Sequence, residues 1–106
     1  MLGILENLQL TFLNIAGAAR EADLSLSTVA AQTAALGATR ITGSVYDVLS
    51  DVDCYIKVAE TANDVTTTTG YPILSGNVVP VWVPTGYKIG AITASGTGTL
   101  RIHRSR

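Results

Sequence analysis

The sequence predicts an all-β fold: a single β-sandwich of about seven or eight strands with jelly-roll-like connections, preceded by an N-terminal helical or extended arm. Three observations lead there. After Asp23 the chain becomes a series of short runs rich in Val, Ile, Thr and Tyr, residues that suit a pleated, half-buried surface. Within those runs apolar and polar positions alternate with the period of two that places side chains on opposite faces of a sheet. Clusters of Gly, Asn, Asp, Ser and Pro separate the runs at the short intervals expected of turns.

A chain of 106 residues is one domain by size, since domains run to about 100–150 residues. It divides into an arm over residues 1–23 and a sandwich over residues 24–106. In the arm, Leu5, Leu8, Phe12, Ile15, Ala16 and Ala19 recur at threes and fours, which makes one apolar helical face. Asn7, Gln9, Asn14, Arg20 and Glu21 lie largely off it. Thr11 and Gly17 weaken the helix, and the alternative is an extended arm that adds a strand or lies along a neighbour. In either form the apolar side needs cover. Ala16-Gly17-Ala18 resembles a signal-peptide cleavage site. However, residues 1–5 carry no Lys or Arg and Glu6 stands where a basic region belongs, which argues against a signal peptide.

The expected strands are 24–33, 38–48, 52–60, 64–68, 71–74, 77–83, 87–94 and 98–104. Ile41, Gly43 and Val45 alternate with Arg40, Thr42 and Ser44. Val52, Cys54, Ile56 and Val58 alternate with Asp53, Tyr55 and Lys57. Val79, Val81 and Val83 share a face opposite Pro80 and Trp82, and Leu100 and Ile102 alternate with Thr99, Arg101 and His103. Pro80 and Pro84 cannot donate ladder hydrogen bonds, so their strand belongs at an edge. Gly96-Thr97 fits a two-residue loop with positive φ at its first position, predicting a hairpin between 87–94 and 99–103. The tract Thr66 to Thr69 reads as an edge strand or loop.

Composition narrows the function. The formal charge is −1, charged residues make up 14% and hydrophobic residues 47%. Charge is well below the average of about 25%. This pattern excludes a disordered chain, which needs low hydrophobicity and high charge, and a nucleic-acid binder working by bulk positive charge. The bland surface suits a protein covered by partners. One cysteine, Cys54, makes no internal disulfide. No run approaches the roughly 18 apolar residues of a membrane helix, so neither nucleic acid nor membrane is expected as a partner.

No constellation spells out a reaction. His103, the single histidine, falls on the polar face of the last strand, whereas hydrolytic triads need a histidine beside a nucleophile and an acid. Cys54 alternates inward, where a thiol acts as a small hydrophobe. Asp47, Asp51 and Asp53 cluster around a turn but supply few of the six to eight oxygens Ca²⁺ takes, and one Cys with one His does not make a zinc site. Gly96-Thr97-Gly98 is too short for a phosphate loop. Neither cofactor nor metal is expected. Tyr46, Tyr55, Tyr71, Trp82 and Tyr87 are candidates for stacking on sugars, although sandwich aromatics more often fill cores or interfaces. Arg101, Arg104 and Arg106 with His103 form a locally basic tail, suited to salt bridges with a neighbouring subunit or to a solvated end.

The segment Tyr71-Pro72-Ile73-Leu74, then Val79-Pro80-Val81-Trp82-Val83-Pro84-Thr85-Gly86-Tyr87, then Ile89-Gly90-Ala91-Ile92-Thr93-Ala94-Ser95-Gly96-Thr97-Gly98-Thr99-Leu100 resembles the small β-sandwich virion proteins of tailed bacteriophages, which commonly serve as capsid decoration (cement) proteins. The resemblance covers roughly residues 40–103 and leaves the arm outside. It implies a structural protein made in the host cytoplasm that sits on the outer capsid surface, often as a trimer, and braces neighbouring capsomers of the major capsid protein. It carries no catalytic residue. The expected partner-binding groups are Leu2, Ile4, Leu5, Leu8 and Phe12, followed by Arg101, Arg104 and Arg106. The alternatives are a tail, neck or fibre component and a carbohydrate- or receptor-binding module, which an exposed platform around Trp82 favours. A small enzyme would need His103 and an acid to converge in a pocket.

Overall fold

The computed structural model describes residues 20–37 and 42–104. The arm positions Leu2, Ile4, Leu5, Leu8 and Phe12, and Arg106, lie outside the described residues. Eight strands follow in order: β1 (Arg20–Leu26), β2 (Ala31–Gln32), β3 (Gly43–Ser50), β4 (Cys54–Ala59), β5 (Tyr71–Ile73), β6 (Val78–Pro84), β7 (Lys88–Ile92) and β8 (Gly98–Arg104). They form two four-stranded sheets, ordered β1-β8-β3-β6 and β2-β7-β4-β5. All pairings are antiparallel. Every connection except β4 to β5 changes sheet, the double Greek key of a jelly roll.

Alternation builds the core. Tyr46 and Val48 of β3, Cys54 and Ile56 of β4, Val83 of β6, Ile89 and Ala91 of β7, and Leu100 and Ile102 of β8 are all buried between the sheets. Each large apolar side chain so buried contributes about 1.5–3 kcal/mol relative to exposure. The inward set of β3 runs Ser44, Tyr46, Val48 and Ser50, so Val45 faces out. The faces expected for β4, β6 and β8 agree with the observed burial.

Several boundaries differ from expectation. Residues 20–23, read as the end of the arm, belong to β1, where Asp23 stands opposite Arg101 and Leu24 opposite Leu100. The expected strand 24–33 is two strands in different sheets. Ser27 breaks it: its Oγ accepts from Val29 N and donates to Val29 O, a local side-chain turn that competes with the ladder. The tract at 64–68 is a loop for the same reason. Thr66 Oγ1 accepts from the amides of Thr68 and Thr69, and Thr69 Oγ1 accepts from Thr66 N. The expected C-terminal hairpin is absent. β7 pairs with β2 and β4 while β8 pairs with β1 and β3, so residues 93–97 cross between sheets. Gly96 does take a positive φ of 76°, but Thr93 N donates to Ser27 O and carries the chain away from its own strand.

Candidate functional site

The two edges of the sandwich differ. β1 packs against β2 across the interior, whereas β5 and β6, the opposite edge strands, make little mutual contact. An apolar cleft of about 320 Å³ opens there, lined by Ile56 and Val58 of β4, Tyr71 of β5 and residues 79–82 of β6. Tyr71 pairs in register with Ile56, and cross-strand partners share a face. Ile56 is 5% exposed but Tyr71 is 66% exposed. An inward-directed aromatic is therefore left bare because nothing opposite it closes the sandwich. Leu74, Val78 and Trp82 extend the exposed apolar surface along the same edge.

Prolines guard this edge. The β3–β6 ladder runs without interruption from Leu49↔Val78 to Gly43↔Pro84, with Pro80 opposite Asp47. Alternate pairs of an antiparallel ladder exchange hydrogen bonds, so Pro80 and Pro84 occupy positions whose amides would point out of the sheet. Between them only Trp82 retains an outward N–H. In β5, Pro72 stands opposite Tyr55 and blocks its strand likewise. A partner at this edge must dock by side chains, because the row of donors that strand addition needs is interrupted.

Trp82 owes its place to Gly43. A Cβ at Gly43 would lie 2.9 Å from Trp82 Cζ2 and 2.5 Å from Val83 O, and Gly43 has φ 138°. The glycine leaves room for the indole on the outer side of the sheet. Sequence reading named Trp82 but passed over Gly43 as a strand residue. Of the other aromatics, Tyr46 is fully buried and Tyr55 and Tyr87 are half-buried, Tyr87 against the core, so among the described residues Trp82 and Tyr71 are the exposed aromatics.

The remaining candidates do not assemble into chemistry. Asp51 Oδ1 accepts from Thr99 N at 2.8 Å and Asp53 Oδ1 accepts from Ser75 N at 2.9 Å, so both carboxylates tie loops together. Among the described residues no group of three His, Cys, Asp or Glu could hold a metal ion. Cys54 is buried, and desolvation pushes its thiol pKa up, away from the reactive thiolate. His103 faces Asp47 across β8 and β3, but it lines neither the edge cleft nor the second cleft around Asp51 and Asp53. Arg101 stands opposite Asp23 on the outer face, whereas Arg104 follows the inward phase of Ile102 at the strand end. The two arginines thus do not form a one-sided basic patch. No helix among the described residues is long and apolar enough to cross a membrane. Compared with protein-family models, curated proteins and solved structures, the chain matches none.

Proposed function

We propose that this protein is a structural component of a bacteriophage virion, a decoration or cement protein that binds the outer lattice of the major capsid protein, as a homo-oligomer with a trimer favoured, and acts by adhesion. The carrying observation is Tyr71, an inward-directed ring left 66% exposed at an unsealed, proline-guarded apolar edge. Such an edge is a surface to be covered by a protein partner. The jelly roll, a fold used by viral capsid proteins, and the low charge support the reading by analogy, as does the resemblance of residues 40–103. Many copies on one lattice make modest single contacts sufficient.

Sedimentation of the purified protein with undecorated capsid shells tests this. Saturable co-sedimentation is expected, weakened by Tyr71→Ser and Leu74→Ser. A protein that stays in the supernatant at all concentrations contradicts it.

A second reading, carbohydrate binding, draws on the exposed rings of Trp82 and Tyr71. Sugar sites add polar side chains that fix hydroxyl groups. The edge cleft has no charged or amide side chain in its lining, which favours a protein partner.

A further inference from the structure

We propose that the second cleft, at the end of the sandwich where the β3–β4, β5–β6 and β7–β8 connections meet, is a binding site for a neutral sugar. Tyr55 is its stacking wall, and Asp51 and Asp53 are acceptors for sugar hydroxyls. The site is separate from the apolar edge and does not rest on the virion reading.

The cleft has a volume of about 470 Å³, within the range of about 300–1,000 Å³ common for small-ligand sites. Its lining combines groups that the edge cleft lacks. Tyr55 supplies a ring, Val52 and Ala94 supply apolar surface, and Asp51, Asp53, Ser75 and Ser95 supply polar side chains. A pyranose uses both kinds. Its C–H face is apolar and suits an aromatic ring, and its hydroxyls need a few well-placed polar partners to fix its orientation.

The wall follows from alternation. Cys54 and Ile56 are buried in the core, so Tyr55 between them faces out of the β2-β7-β4-β5 sheet. There it is half-buried and stands between Ile92 and Pro72 on the neighbouring strands. A Cβ at Gly70 would lie 2.6 Å from Tyr55 Cβ, so the chain at Gly70 presses against the base of the ring.

The acceptors are held in advance. Asp51 Oδ1 accepts from Thr99 N and Asp53 Oδ1 accepts from Ser75 N. A carboxylate accepts about four hydrogen bonds, so each retains capacity for a ligand after securing its loop. Gly76 N donates to Ser50 O and Thr93 Oγ1 donates to Gly96 O, which secures the β5–β6 and β7–β8 connections. Gly98 lets the β3–β4 turn close in, because a Cβ there would lie 2.6 Å from Asp51 Oδ1 and 2.4 Å from Val52 Cγ2. Groups ordered before a ligand arrives lose little entropy on binding it.

The chemistry selects a sugar over an ion. Two carboxylates fall short of the six to eight oxygens that Ca²⁺ takes, and among the described residues no group of three His, Cys, Asp or Glu could hold a metal ion. An anion is repelled by both carboxylates, and no Lys or Arg lines the cleft to receive one.

A nuclear magnetic resonance titration of the full-length protein, following backbone amides, tests the site with lactose, maltose and diacetylchitobiose. Saturable shifts from at least one of these sugars are expected, concentrated in residues 51–55, 75 and 94–95. Tyr55→Ala is expected to weaken that binding about ten-fold by removing the stacking wall. Asp53→Asn, which keeps an acceptor for Ser75 N, is expected to weaken it about five-fold, since bonds to a charged acceptor are the stronger ones. Should Tyr55→Ala fail to fold, Ala94→Trp at an exposed loop position fills the cleft and is expected to abolish the shifts. No shift with any of the three sugars overturns the proposal, as does unchanged affinity in the variants. Shifts centred on Tyr71 and Trp82 also overturn it, because they move sugar binding to the edge. So do shifts around Asp51 and Asp53 with calcium chloride but with no sugar, which make the cleft a cation site.

Discussion

Val45 and Trp82 stand directly opposite each other across β3 and β6 and both face out of the sandwich. They share the pairing phase of Pro80 and Pro84, so theirs is the non-hydrogen-bonded type of pair, in which Cα atoms approach to about 4.5 Å and side chains pack most closely. A hydrophobic pair on the solvent side of an edge strand is poorly used in an isolated monomer. The same strand spends two of its seven residues on prolines that suppress strand addition. The edge is therefore apolar and at the same time protected against edge-to-edge pairing, a combination suited to a partner that docks through side chains.

Removing the indole should cost little stability. Trp82 is 53% exposed and Ile102 is fully buried, so Ile102→Ala is expected to destabilise by about 2–5 kcal/mol and Trp82→Ser by about 1 kcal/mol or less. Urea unfolding of both variants checks the contrast.

Gly43→Ala should be disproportionately harmful for a half-buried strand end. Its φ of 138° and the approach to Val83 O impose a cost of about 1–3 kcal/mol, and the Trp82 ring must move. A shift in tryptophan emission accompanying the loss of stability is the expected signature.

Replacing Pro80 and Pro84 by Val restores two outward donors to β6. The double variant should associate through that edge as concentration rises, visible by light scattering, while the parent protein under the same conditions should not associate by strand addition.

Lys57 Nζ donates to Asp64 Oδ1 at 2.8 Å, on the surface. That hydrogen bond holds the Asp64 carboxyl pKa below its ordinary value of 3.8. The contact favours the folded state at pH above the ordinary range, and its contribution fades as pH falls through the lowered folded value. Because the pair is solvent-exposed, the effect on stability is small. A carboxyl titration by nuclear magnetic resonance should show Asp64 returning to the ordinary range in Lys57→Met.

The fold class was legible because period-two alternation survives in β4, β6 and β8, whose inward residues are the large apolar ones. Alternation misled where inward positions are polar, as at Ser44 and Ser50 of β3. Serine and threonine also hid strand ends, since Ser27 and Thr66 bond to their own backbone and stop a run that composition continues. The misplaced C-terminal hairpin has a topological cause. A glycine-containing turn of the right length marks a reversal, but whether the chain returns in its own sheet depends on long-range partners, here Ser27 for Thr93. Trp82 and the edge prolines were readable as surface features. The unsealed edge was not, because it arises from the gap between β5 and β6, which no local pattern encodes.

Hydrogen–deuterium exchange of the full-length protein, free and bound to undecorated capsid shells, tests the central claim most directly. The account predicts protection on binding that is concentrated in residues 71–74 and 78–82. Protection confined to the loops around Asp51 and Asp53, or none anywhere, would contradict it.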